Sequence, residues 1–288
     1  MLWSLRIKRK VVFRLMFASC SGYDTDLSDD QWDKIKRFIP RAGKGGRQRE
    51  TNMRRVVDAI FYISVNGCKW RNLPKDFPPW QTVYRYFVLM RKTHKWKKIH
   101  YALYEEARAE AGKAKQPTLL AMDSQSVKTG KNASVSTRGY DGGKKVKGRK
   151  RHLVTDSLGL MVDVAVTPAN THDTKGGIKV LEKVKKRWKQ SKIRKIVADK
   201  GYRGELLKNF VQAQFKADIE IGQNHSSMAK GFVPAKHRWV VERGFAWLGD
   251  YWRLSIDRER LLRNSVAFLR IAFIRLMLRR LCPIPDLW

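Results

Sequence analysis

The sequence predicts an α/β (α+β) protein in which a run of short helices precedes a mixed β-sheet with helices on its faces. Three observations predict it. Apolar residues recur at helical spacing up to about residue 115. Beyond that point, short apolar runs bounded by turn residues or charges read as strands: LLAM, HLVT, LMVDVAV and KIVA. The first three of these follow one another, and the later one alternates with helical stretches, which mixes antiparallel and parallel pairing in one sheet.

In chain order, Ser28 with Gln31 three positions on makes a capping box. Asp29 and Asp30 suit a first turn, and Trp32, Ile35, Phe38 and Ile39 recur at helical spacing until Pro40. RAGKGGRQRE then reads as a Gly-rich basic loop. A second helix starts near Asn52, runs through Val56, Val57, Ile60, Phe61 and Ile63, and stops at Asn66-Gly67. After CKWRNLPKDFPPW, a third carries Val83, Phe87 and Met90 on one face, with Arg85, Arg91 and Lys92 off it; a fourth spans roughly Trp96 to Ala111. Short helices joined by tight turns, one with a basic exposed side, suit a helix-turn-helix-like module that reads DNA. A plain helical bundle with solvated charges is the competing reading.

The linker AGKAKQP leads to LLAM and Asp123. HLVT and LMVDVAV flank the turn Asp156-Ser157-Leu158-Gly159 as a hairpin. A helix follows from about Thr174 to Lys189, then the strand KIVA before Asp199, a helix near Gly204 to Gln214 and a strand at Ile219 to Ile221. Two helical stretches close the pattern, about Ala235 to Gly249 and Asn264 to Leu281. The order β-β-β-α-β-α-β-α is the one an RNase H-like fold shows. The expected division is 1–24 as a flexible basic arm or upstream extension (with Met16 as the alternative start), 25–115 as the helical DNA-binding domain, and 116–288 as the RNase H-like catalytic domain.

Across 288 residues, 61 Lys+Arg stand against 26 Asp+Glu, a formal net charge of +35. Such an excess favours a polyanionic partner, nucleic acid first and an anionic membrane surface second. A hydrophobic share of 43% is too high for a disordered basic tail. No apolar run approaches the ~18 residues of a spanning helix. Cys20, Cys68 and Cys282 form no CxxC pair, so neither a zinc ribbon nor a disulfide framework is expected, and a reduced cytoplasmic setting fits.

Asp123 and Asp199 each follow an apolar strand, at the sheet rim where α/β proteins bind ligands. On neighbouring strands their carboxylates would share hard cations of the Mg²⁺ kind. The competing reading makes each a strand-end turn former. Glu242 is the expected third ligand, at the border of the apolar helical face of HRWVVERGFAWLGDYWRL; an i,i+4 ion pair with Arg238 is the alternative there. Asp141, Asp156, Asp163, Asp173, Asp218 and Asp250 compete. The densest basic segment, RGYDGGKKVKGRKRH, holds Arg138, Lys144, Lys145, Lys147, Arg149, Lys150 and Arg151 against Asp141, and its glycines would let phosphates approach the backbone. With Arg85, Arg91, Lys200, Arg203 and Arg238 these form the expected DNA-contact set. Tyr202 and Trp252 are candidates to stack on splayed bases.

MDSQSVKT around Asp123, GYDGGKKVKGRKRHLVTDSLGL, ANTHD at 169–173, ADKGYRG around Asp199 and RWVVERGFAWLGDYWRL around Glu242 resemble the IS5-type (IS4/IS5 superfamily) DDE transposases of bacterial insertion sequences. LSDDQWDKI, GCKWRNLP and PPWQTVYRYF resemble the helical domain that precedes their catalytic core. The resemblance runs from about residue 25 to 280. It implies an RNase H-like core in which Asp123, Asp199 and Glu242 bind Mg²⁺, with Mn²⁺ able to substitute, and in which Arg238 matches the arginine that precedes the family glutamate. The family's tyrosine before that arginine and lysine after the glutamate fall at Ala235 and Gly249, so those two roles have no counterpart, and Asp250 stands where relatives commonly carry a basic residue. The resemblance further implies cutting of element ends and joining of the 3′-hydroxyl to target DNA. The partners implied are double-stranded DNA, as terminal inverted repeats and as target, and further copies of the chain in a homodimer or higher oligomer. It places the protein in the bacterial cytoplasm at the nucleoid, away from membranes. A nuclease without strand transfer and a decayed DNA-binding protein are the alternatives.

Overall fold

The computed structural model describes residues 22–43, 45, 48–222 and 239–283. Helix α1 (Asp29–Ile35) continues into a 3₁₀ turn, Lys36–Phe38, and both halves of the Ser28/Gln31 capping box are made. Helix α2 (Met53–Asn66) is capped by Asn52, whose side chain accepts the amides of Arg54 and Arg55. It ends at Gly67 in the left-handed region, the conformation that makes glycine the favoured residue there. Helix α3 (Trp80–Lys92) buries Val83, Phe87 and Met90, and α4 (Lys95–Glu110) follows after Thr93-His94. The tight turn of a helix-turn-helix thus lies only between α3 and α4. Between α2 and α3 the whole segment 67–79 intervenes, with one 3₁₀ turn at Trp70–Asn72.

The sheet comprises β1 (Leu119–Lys128), β2 (Gly139–Asp141), β3 (Val146–Thr155), β4 (Met161–Pro168), β5 (Lys195–Ala198) and β6 (Asp218–Ile221). Its order is β2-β3-β1-β5-β6, with β4 also paired to β3. β3 is antiparallel to β1 and β4, whereas β5 is parallel to β1 and β6 to β5. This is the mixed, RNase H-like arrangement expected from the element order. Helices α5 (Asp173–Arg187) and α6 (Glu205–Phe215) make the parallel connections; α7 (Trp239–Ala246), the short α8 (Trp252–Ser255) and α9 (Leu262–Leu281) follow.

Helix α9 is buried along most of its length and packs on α4, α2 and β4. One continuous apolar core therefore runs from Leu27 to Leu278 across the boundary read near residue 115. Buried polar contacts pin the same junction. The Tyr101 hydroxyl donates to Asp163 at 2.7 Å and the Tyr104 hydroxyl to Asp156 at 3.1 Å. Arg108 pairs with Asp156, and Arg270 with Asp163 at 2.6 Å. Removing one member of such a pair would strand a charge in the core and cost about 3–5 kcal/mol.

Candidate active site

The parallel register β1–β5 ends at Met122↔Ala198, so the next residues of the two strands, Asp123 and Asp199, come side by side. The two strands behave differently beyond that rung. β5 stops, and Asp199 caps a 3₁₀ turn, Lys200–Tyr202. β1 does not end at Met122 as the apolar pattern suggests; it runs on to Lys128 because β3 pairs with it as far as Lys128↔Gly148. Asp123 is therefore a mid-strand residue, half-buried, with its Oδ1 accepting the Ser124 amide at 2.6 Å.

A third carboxylate closes in on this pair. Asp173, the first residue of α5, accepts the Ser124 hydroxyl at 2.7 Å and the Lys150 ammonium at 3.1 Å. A Cβ built on Gly201 would come within 2.9 Å of its Oδ2, so the backbone beside Asp199 lies against it. The Tyr202 hydroxyl sits among all three acids. Burial, then the charges of Asp123 and Asp173, push its ionisation well above the ordinary value. Its ring is 1% exposed, which rules it out as a platform for bases. Asp141 completes the network: it accepts the Ser126 hydroxyl and the Lys144 amide and lies 3.6 Å from Lys150. Burial alone would raise this carboxyl, but those hydrogen bonds and the lysine charges outweigh it and hold it below its ordinary value. The sequence grouped Asp141 and Asp173 only as competitors. The signal that could have marked Asp173 is the turn ANTHD directly before an amphipathic helix.

Glu242 lies on α7, which packs on β1 and β3 through Val240, Val241 and Gly244. A Cβ on Gly244 would come within 3.0 Å of the Thr155 methyl, so the helix rides close on the sheet while Glu242 itself is exposed. Arg238 lies outside the described residues. Strand-borne and helix-borne carboxylates supply the hard oxygen donors that Mg²⁺ or Mn²⁺ takes, and the Asp123–Asp199 juxtaposition fits such an ion. Among the described residues, no three His, Cys, Asp or Glu side chains are yet gathered closely enough to hold one.

The basic segment 138–152 is a hairpin, β2–turn–β3, rather than an open loop. Lys144, Lys145 and Lys147 are exposed at its tip and Arg138 is half-buried. The expectation of phosphate contact fails for Arg149 and Arg151. Arg149 is wholly buried; its guanidinium donates to Asp257 at 3.0 Å, to Ser265, to Thr137 and to the carbonyls of Glu259 and Arg260. Arg151 is buried against the Leu254 carbonyl at 2.7 Å, and burial brings its guanidinium down to about 10. Lys150, on the opposite face, is buried with Asp173 and Asp141. Two of the glycines serve packing: a Cβ on Gly148 would fall 1.9 Å from the Val127 carbonyl oxygen and one on Gly139 2.1 Å from Asn170 Oδ1, whereas Gly142 borders open space. Arg85, Lys200 and Arg203 are exposed. Arg91 is half-buried, and burial and then Arg263 lower its pKa. Trp252 is 70% exposed.

Residues 114–277, more than half of the chain, match the family described as "Transposase DDE domain". The chain belongs to the DDE transposases. Residues 27–100 match "Putative transposase of IS4/5 family". Among curated relatives, the chain is 29% identical over 123 residues to "Uncharacterized protein y4sN" of Sinorhizobium fredii, covering 43% of this chain and 89% of that one. It is also 29% identical over 129 residues to "Putative transposase for insertion sequence element IS402" of Burkholderia cepacia, covering 43% of this chain and 60% of the relative. No solved structure matches. No helix among the described residues of this transposase is long and apolar enough to cross a membrane.

Proposed function

We propose that this transposase cuts the ends of an insertion sequence and joins the freed 3′-hydroxyl to target DNA, with Asp123, Asp199 and Glu242 as the metal-binding carboxylates. The observation that carries the reading is the register that sets Asp123 beside Asp199 at the end of the β1–β5 pairing. Divalent ions held there would supply charge to the attacking and leaving oxygens of the phosphoryl transfer. The chain's own part is position. β3 holds β1 in register, Ser124 links β1 to Asp173, and α7, the helix that bears Glu242, packs on β1 and β3. Lys144, Lys145, Lys147, Lys200 and Arg203 are exposed and would take DNA phosphates, and Arg85 on α3 would contact the terminal repeat. The protein would act at the nucleoid, with two or more copies pairing the element's ends.

A plasmid carrying a miniature element tests the reading. Purified wild-type protein with Mg²⁺ or Mn²⁺ should cut the ends and yield joined product. Asp123→Asn and Glu242→Gln should abolish both steps while retaining end binding. Cleavage without joined product would leave a nuclease, and binding without cleavage a DNA-binding protein.

A further inference from the structure

A cleft of about 1530 Å³ opens between the segment that follows α2 and the far end of β1. Its walls come from residues 67–72 and α3 on one side, and from residues 128–132 and the stretch around Arg258 on the other. None of the DNA-contact residues expected from the sequence lines it. Lys69, Arg71, Lys128, Lys131, Arg258 and Arg260 are exposed around it. The carboxylate in the lining, Glu259, is buried and bound by Arg253, so it does not offset those charges at the mouth. Aromatic faces alternate with the cations. The Arg71 guanidinium lies over the Trp80 ring at 5.5 Å, and Tyr84 meets Trp70 edge-on at 5.0 Å. At the rim, Trp252 lies against Gly67, where an added Cβ would come within 3.0 Å of its backbone, and leaves its ring exposed. On the floor, the buried Asn264 keeps its Oδ1 without a hydrogen-bond partner.

The cleft exceeds the roughly 300–1,000 Å³ of a small-molecule pocket, which points to a segment of polymer. Cations interleaved with aromatic rings, of which Tyr84 and Trp252 are exposed, suit a single nucleic-acid strand, whose phosphates and unstacked bases use both; a duplex keeps its base faces to itself. The cleft is also in line with the carboxylates. Lys128 lies on β1 beyond Asp123, about 17 Å along the strand at ~3.4 Å per residue. We propose that this cleft binds unpaired DNA adjoining the element end, with phosphates on the rim cations and bases against Trp80, Tyr84 and Trp252. The assignment of that DNA to an element end rests on the end-cutting reading above, but strand binding itself does not require cutting.

The test uses the full-length protein in buffer with EDTA, titrated with a fluorescein-labelled oligonucleotide, single-stranded or annealed to its complement, and read by anisotropy. The double variant Arg71→Ala/Arg258→Ala should weaken single-strand binding by about tenfold or more, and Trp252→Ala by about threefold to tenfold, as loss of one stacked base implies. Duplex binding should stay within about twofold for both, since its main contacts lie elsewhere. Lys131→Glu, at an exposed loop position, repeats the charge test without disturbing the Arg71–Trp80 contact. Unchanged single-strand affinity in the charge and tryptophan variants, or parallel loss of duplex binding, overturns the proposal. A protein that meets these expectations yet never cuts plasmid-borne ends would sink the end-cutting reading and leave the strand site standing; cutting with no effect of the cleft variants on strand binding would do the reverse.

Discussion

Lys144, Lys145 and Lys147 are parted from Arg149, Lys150 and Arg151 by a single glycine, yet the first three are exposed and the next three buried. Both triplets have the same charge and neighbouring places in one hairpin. The difference lies in pairing. Lys144 and Lys145 lie in the turn and Lys147 is paired only with Tyr140 of β2, whereas from Arg149 onward β3 has β1 on one side and β4 on the other, so its side chains must face a core. Alternation then sends Arg149 and Arg151 to the face of Asp257 and Leu254, and Lys150 to the face of Asp173. A large net charge is therefore no map of where DNA lies; part of it is internal mortar between segments far apart in the chain.

The comparison breaks most sharply at Arg149. Arg149→Ala should leave Asp257 charged and buried, lowering stability by about 3–5 kcal/mol in urea unfolding, with much of the protein insoluble. A loss under about 1 kcal/mol would mean the strand's cations are not structural.

The next largest effect is a titration on the same strand. His152, beside Arg151, is buried against Gly176, and burial brings its imidazole from 6.5 to about 4. Its folded pKa is depressed, so for this base the neutral form favours folding. The stabilisation is fully present above pH 6.5 and is lost as pH falls through about 4, up to about 3 kcal/mol. Urea midpoints at pH 7 and pH 4.5 should separate for the wild type and draw together in His152→Leu. Gly176→Ala probes the same contact sterically. An added Cβ would lie 2.0 Å from the ring, and the cost should be about 1–3 kcal/mol in thermal unfolding.

The hairpin tip should show the smallest stability effect. Lys144→Ala/Lys145→Ala/Lys147→Ala should move stability by no more than about 0.5 kcal/mol per site. Its effect should appear in DNA binding, where each lost phosphate contact reduces the salt slope by about 0.9. A triple variant with an unchanged slope would put the tip outside the DNA path.

What was legible in the sequence was local. Ser28, Asn52 and Gly67 bound their helices because capping depends on residues within a few positions of one another. KIVA stood out as a buried strand for the same reason. The full length of β1 did not, since DSQSVK has no apolar alternation and is extended only because β3 pairs with it. Arg149 was misread because its partner Asp257 lies 108 residues away. At the site, neighbouring apolar strands announced Asp123 and Asp199. Asp173 reaches them through Ser124 and the backbone at Gly201, contacts that exist only once α5 has folded onto the sheet.

The burial of α9 has a consequence for synthesis. This helix covers α2, α4 and β4 together, and it is the last of the described elements to be made. At a ribosomal pace of about 5–20 residues per second, the earlier elements wait for its arrival with their inner faces uncovered. A nascent chain stopped before Leu262 would hold every acid proposed for the chemistry and still lack the wedge that joins helices to sheet. Synthesis of this helix and assembly of the described core are thus one event, and a transcript broken before Leu262 yields a product for the cell's proteases rather than a shortened enzyme.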